Sequence, residues 1–87
     1  MDAMWGLRAN DELAEGERLL DTGDFTAALA HFEEGRACSE AIADEKMRKL
    51  ALGAVIDGMG RTYLILGRYD EAIASYQALP GGARDQP

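Results

Sequence analysis

The chain has 87 residues, of which 47% are hydrophobic, and it carries a formal net charge of −7. This length predicts one small domain, and the hydrophobic fraction is that of a globular chain rather than a disordered one. The acidic balance argues against nucleic acid as the main partner, because neutralising phosphates requires clustered Lys and Arg.

The sequence also bears on the compartment. No run approaches the roughly 18 uninterrupted apolar residues of a membrane span. The N-terminus lacks a basic patch followed by an apolar run, so we expect no signal peptide. The single cysteine, Cys38, has no disulfide partner within the chain, which is typical of a reducing compartment. We therefore expect a cytoplasmic location without membrane contact.

Helix 1 is predicted at about residues 11–22. Asn10 precedes two acids, and an amide cap with acids in the first turn indicates a helix start. Gly23 is the expected stop, since glycine adopts the left-handed conformation without strain. Helix 2 is predicted at about residues 25–43, where apolar residues recur at steps of three and four: Phe25, Ala28, Leu29, Phe32, Gly35, Cys38 and Ile42.

Helix 3 is predicted at about residues 45–66. Asp44 is the expected cap, and Gly67 is the expected stop. The apolar positions of this helix include Met47, Leu50, Ala51, Ala54, Val55, Met59, Tyr63 and Leu66. Glycines inside the predicted helices each cost about 1 kcal/mol relative to alanine, so they usually permit a close approach of two backbones. We expect such close crossings at Gly16 and Gly60.

Helix 4 is predicted at about residues 69–79, with Ala72, Ile73 and Tyr76 on its buried face. Pro80 ends it, and residues 81–87 are expected to form a flexible tail. No segment alternates with the period of a β-strand. The sequence therefore predicts an all-α fold, with four helices in a single domain of residues 1–80.

Two segments of the chain share one pattern. The second reads Met59-Gly60-x-x-Tyr63, Gly67, Tyr69, Ala72-x-x-x-Tyr76 and Pro80, and the first reads Gly16-x-x-Leu19, Gly23, Phe25 and Ala28-x-x-x-Phe32. These residues resemble the tetratricopeptide repeat (TPR), a helical hairpin with a standard period of about 34 residues. Gly23 and Gly67 are 44 residues apart, which is similar to the long-helix variety of the repeat. Glu12 and Glu15 stand where the family has an apolar pair, and the first copy has no closing proline.

The resemblance implies two stacked hairpins of a right-handed solenoid, with repeat one at about residues 9–43 and repeat two at about 44–80. It also implies a non-catalytic scaffold or adaptor that binds a peptide or helix of a protein partner on its concave face. The positions carried over to that face are Asn10, Leu13, Glu17, Leu20 and Asp21 in the first repeat and Ala54, Asp57, Arg61, Leu64 and Ile65 in the second. This surface is half apolar and half acidic, so it suits an apolar or basic helix. The alternative is that Leu20, Leu64 and Ile65 pack between neighbouring helices.

A second hypothesis is a structural self-assembly element. Ile73, Tyr76 and Leu79 are the predicted self-association residues, because helix 4 carries little charge at the open end of the repeats. Residues 43–46 contain no glycine or proline, so a continuous rod through helices 2 and 3 competes with a closed turn. Two such rods could exchange their halves in a swapped homodimer. We favour the closed turn, because Asp44 is a good N-cap.

The sequence offers little chemistry. His31, Glu34 and Cys38 form one row on helix 2, but three ligands from one helix rarely complete a tetrahedral metal site. No serine has the context of an activated nucleophile, and the GMGRT segment lies inside helix 3, where the backbone amides are already bonded. We therefore expect no enzyme activity, no catalytic residues, no metal and no cofactor.

Overall fold

The computed structural model describes residues 2–80. It contains four α-helices in chain order: α1 (Asp2–Thr22), α2 (Phe25–Glu40), α3 (Glu45–Leu66) and α4 (Tyr69–Gln77). No strand occurs among the described residues, so the all-α prediction is confirmed. The predicted tail at residues 81–87 lies outside the part of the chain that the structure describes.

Helix 3 has its predicted bounds, but the other three helices differ from prediction. Helix α1 begins at Asp2 rather than near residue 11, so the predicted cap at Asn10 is wrong. The reason is packing: Ala9 is buried, and its carbonyl oxygen lies beside Gly35 of α2. Helix α2 ends at Glu40 rather than 43, and α4 ends at Gln77 rather than 79.

The turns after α1 and α3 have the same backbone geometry. Gly23 and Gly67 are left-handed, with φ of 88° and 78°. The residues that follow, Asp24 and Arg68, have φ/ψ of −92°/75° and −90°/74°. In both turns the glycine N–H donates to the carbonyl three residues earlier, and the next N–H to the carbonyl five residues earlier. The helices α1 and α3 therefore end in turns of the same type.

Residues 41–44 close the turn between α2 and α3, so the two helices are separate within this chain. Asp44 caps α3 by accepting a hydrogen bond from the Met47 N–H at 2.8 Å. Arg48 donates to the carbonyl oxygens of Ile42 and Ala43. Ala43 has no positive φ, so the turn closes without a left-handed residue at this position.

Phe32 of α2 lies at the centre of the core. It is fully buried, and its ring packs against two glycines, Gly16 of α1 and Gly58 of α3. A Cβ atom built on Gly16 would lie 2.6 Å from the ring, and one on Gly58 would lie 2.7 Å from it. The core around it consists of Ala28, Leu29, Val55, Met59, Tyr63 and Ala72. Three helices therefore meet at one aromatic ring because two of them carry no side chain there.

The second hairpin has the matching contact between α3 and α4. A Cβ atom on Gly60 would lie 2.7 Å from the ring of Tyr76, so the close crossings predicted at Gly16 and Gly60 are both confirmed. Ala72 is buried as predicted, whereas Tyr76 is only half-buried. Ile73 is exposed, so its predicted place on the buried face of helix 4 is wrong. Its neighbour in the fold, α3, covers only one side of this short helix.

Helix α3 is the central element, since it contacts α1, α2 and α4. The Cα atoms span 37 × 36 × 15 Å, and the short dimension corresponds to two layers of helices at the usual spacing of about 8–10 Å. Within residues 2–80, no helix is both long enough and apolar enough to cross a membrane. The flat shape leaves one long side of both α1 and α3 open to solvent.

Two glycines, one within α3 and one directly after it, give a prediction about stability. Neither Gly53 nor Gly67 has an atom near its vacant Cβ position, but Gly67 is left-handed and Gly53 lies within the helix. Gly53→Ala should raise the free energy of unfolding by about 0.5–1 kcal/mol, because alanine loses less backbone entropy on folding. Gly67→Ala should lower it by about 1–2 kcal/mol. Urea unfolding measures both, and equal effects would contradict the assigned geometry.

Candidate functional site

An open apolar groove lies between α1 and α3. Its volume is about 280 Å³, and it extends to the turn before α3. The lining residues are Gly6, Ala9, Asn10, Leu13, Ile42, Met47, Leu50, Ala51, Ala54 and Val55. Asn10 is the only one with a polar side chain. The groove is below the roughly 300–1,000 Å³ of small-molecule pockets, so its size suits protruding side chains better than a cofactor.

Two large apolar side chains stand exposed on the α3 side of this groove. Met47 is 57% exposed and Leu50 is 71% exposed. They lie three residues apart, which places them on one side of the helix. Leu7 of α1 is also exposed, one position from the groove residue Gly6. Exposed large apolar side chains beside an apolar groove are typical of an interaction site.

The predicted concave residues lie on α1 and α3, on both sides of an inter-helix ion pair. Glu17 of α1 lies 3.5 Å from Arg61 of α3, and Asp57 accepts a hydrogen bond from Arg61 at 3.1 Å. Asp21 is exposed, as are Leu64 and Ile65, whereas Leu13 and Leu20 are half-buried against the core. The structure therefore brings Glu17, Asp57 and Arg61 together. Of the predicted positions, Asn10, Leu13 and Ala54 line the groove.

The sequence interpretation missed several groove residues, including Met47, Leu50 and Ala51. They were recognised as apolar positions of helix 3, but the pattern does not show which neighbour covers each one. Met47 and Leu50 precede the part of α3 that packs against α2, where Val55 is the first fully buried residue. A large apolar pair in the first two turns of a helix, before its buried stripe begins, is the signal that could have identified them.

The predicted self-association residues lie together on α4 and just after it. Ile73 is 55% exposed, and Tyr76 and Leu79 are half-buried. Tyr69, one turn before Ile73, is also exposed. These residues form a surface separate from the groove, because none of them lines it.

The side chains considered for metal binding or catalysis are engaged in contacts within and between the helices. His31 Nδ1 lies 2.7 Å from Glu12 Oε1, which joins α2 to α1, and Cys38 is buried in the apolar stripe. Residues 2–80 contain no cluster of three or more His, Cys, Asp and Glu that could hold a metal ion. Ser39 is buried, and its hydroxyl donates a hydrogen bond to the Gly35 carbonyl oxygen of the same helix at 2.8 Å.

A second cleft of about 220 Å³ separates the end of α2 from α4. Arg36, Tyr63 and Glu71 provide its polar edge. Burial raises the pKa of the Tyr63 hydroxyl, and the carboxylates of Glu33 and Glu71 raise this pKa further. Arg68 lies 5.0 Å from the centre of the Tyr63 ring, and its hydrogen bonds to Glu71 raise the pKa of its guanidinium. Burial and these carboxylates therefore favour the protonated form of the Tyr63 hydroxyl.

No protein-family model, curated protein or solved structure matches this chain.

Proposed function

We propose that the chain is a non-catalytic protein-interaction module with two TPR-like hairpins stacked as a right-handed solenoid. Two features support this arrangement. The turns at Gly23 and Gly67 have nearly the same backbone geometry, and α3 contacts both helices of the first hairpin. The module binds a helix or peptide of a partner along α1 and α3.

The apolar groove between α1 and α3 carries this proposal. Met47 and Leu50 remain exposed beside it, and a bound apolar side chain would bury both. Burial of apolar surface contributes about 25 cal/mol per Å² removed from water. Glu17 and Asp21 add two carboxylates to α1 beyond the groove residue Leu13. Among the described residues, the one cation paired with Glu17 is Arg61 of α3, so a partner with basic residues beyond its apolar anchor is favoured.

Selection of displayed peptides tests this function. A library of random peptides panned against the wild-type protein should give binders with apolar anchors and adjacent Lys or Arg. Met47→Asp should weaken these binders at least tenfold, because it places a charge at the edge of the apolar groove. Isothermal titration calorimetry with the synthetic peptides measures the change.

Met4→Asp is the matched control. Met4 is 54% exposed, close to the 57% of Met47, but it does not line the groove. It should leave the affinity of the same peptides unchanged. The groove would be rejected as the site if both variants lost affinity equally, or if Met47→Asp left the affinity of the peptides unchanged.

A homodimer through Ile73, Tyr76 and Leu79, including a swapped form through residues 43–46, stays a prediction. The observation that favours use of this second surface is the exposure of Ile73 and Tyr69. This surface and the groove do not share a lining residue, so each can bind a different occupant.

A further inference from the structure

We infer that the outer side of α4, with the adjoining edge of α3, docks a glycine-containing helix of a protein partner. This surface, the end face, consists of Asp57, Leu64, Tyr69, Ile73 and Tyr76. It lies apart from the groove between α1 and α3, and the inference does not rest on the function proposed for that groove.

The first hairpin shows how such a face is covered. A shift of 44 residues relates Gly23 to Gly67, and the same shift relates Leu29 to Ile73 and Phe32 to Tyr76. Leu29 is 9% exposed whereas Ile73 is 55% exposed, although each is one residue from a buried alanine. Phe32 is fully buried, whereas Tyr76 is only half-buried. The two hairpins differ because α3 covers the first one.

The contacts that α3 makes with the first hairpin define the occupant expected on the second. Gly58 lets the backbone of α3 approach the ring of Phe32, where a Cβ atom would come within 2.7 Å. Val55 and Met59 complete the same buried cluster. A helix that covers the end face therefore needs glycine opposite Tyr76. It also needs an apolar residue three positions before that glycine and another one position after it.

The end face also favours a positive charge on the partner helix. The 44-residue shift places Asp57 where the first hairpin has Leu13, a half-buried residue packed against the core. Within residues 2–80, Arg61 is the cation paired with Asp57, and Arg61 is shared with Glu17. A partner helix with a basic residue at the position of Ala54 in α3 would complement Asp57, because Ala54 and Leu13 line the same groove.

The chain's own segments fit the end face poorly. In a head-to-tail pair, α1 of a second copy would take the place of α3. The 44-residue shift then puts Asp11 and Glu15 of α1 where α3 has Val55 and Met59. Two carboxylates would be buried against Ile73 near Asp57, which is unfavourable without a base. Residues 81–87, with the sequence GGARDQP, contain no large apolar side chain to cover Ile73. These mismatches favour a partner helix over a second copy.

The test uses a labelled synthetic peptide with the sequence of residues 45–66 as the probe. It carries the glycine and apolar spacing that the end face requires. Fluorescence anisotropy with the full chain should show saturable binding, and a peptide with Gly58→Leu should bind at least tenfold more weakly. A peptide with Ala54→Arg should bind more tightly than the parent, and Asp57→Asn in the protein should remove that gain.

Two isoleucines of equal exposure provide the matched protein variants. Ile73 and Ile65 are both 55% exposed, but Ile65 corresponds to Asp21, which stays exposed while α3 covers the first hairpin. Ile73→Asp should therefore lower the affinity for the parent peptide at least tenfold, and Ile65→Asp should leave this affinity unchanged. Circular dichroism verifies that both variants are folded.

Three outcomes would overturn the inference. The first is the absence of saturable binding by the parent peptide. The second is equal binding to the wild type and to Ile73→Asp, which would mean that the peptide displaces α3 from α2 instead. The third is a dimer of the free protein that Ile73→Asp makes monomeric in sedimentation, which would assign the end face to a second copy.

Discussion

Replacing Phe32 with alanine should be the most destabilising single truncation in this chain, lowering the free energy of unfolding by about 3–5 kcal/mol. The ring is fully buried, and both glycines against it belong to helices fixed by other contacts. The cavity therefore lies where three helices meet and cannot close without moving one of them. A domain of this length has roughly 4–13 kcal/mol of stability, so the variant retains little of it.

Phe25→Ala is the control for the loss of Phe32. It removes the same ring from the same helix, but Phe25 is only half-buried. Its loss should lower the free energy of unfolding by less than half as much. Urea titration followed by circular dichroism at 222 nm gives both values. Similar losses from the two truncations would show that Phe32 does not occupy the centre of the fold.

The sequence predicted those parts of the fold that depend on local chemistry. The two turns were predictable because Gly23 and Gly67 adopt a conformation that other residues avoid. The start of α3 was predictable because Asp44 caps it through its own carboxylate. Each of these features is decided within a few residues of the chain.

The errors concern elements decided by distant contacts. The first turns of α1 are held by packing of Ala9 beside Gly35, and no local signal competes with the capping signal at Asn10. Periodicity also placed Ile73 in the core, since it marks a helix face without stating whether a neighbour covers it. The groove escaped notice for the same reason, because its residues come from two helices separated by α2.

The role of Gly58 was the least predictable from the sequence. The repeated pattern drew attention to Gly16 and Gly60, each 16 residues before an aromatic residue in the next helix. Gly58 has no counterpart of this kind, because it contacts the aromatic residue of the preceding hairpin. It is therefore a feature of the packing between hairpins, which a motif for one hairpin does not contain.

Gly58→Leu should lower the free energy of unfolding by about 1–3 kcal/mol or more, through overpacking against Phe32. The ring cannot retreat, because Gly16 contacts it from another helix. Gly60→Leu creates an equally close approach to Tyr76, but that ring is half-exposed and can swing toward solvent. Its effect should therefore be smaller, and an equal or larger loss at Gly60 would contradict this account.

Combining Gly58→Leu with Phe32→Ala tests whether one contact links the two sites. The leucine side chain would enter the space left by the ring, so each change should relieve part of the damage done by the other. We expect the double variant to be about 1–3 kcal/mol more stable than the sum of the single losses predicts. Urea unfolding of the four proteins in the cycle provides the measurement. Strictly additive losses would mean that Gly58 and Phe32 do not touch, and that α3 approaches α2 so closely for some other reason.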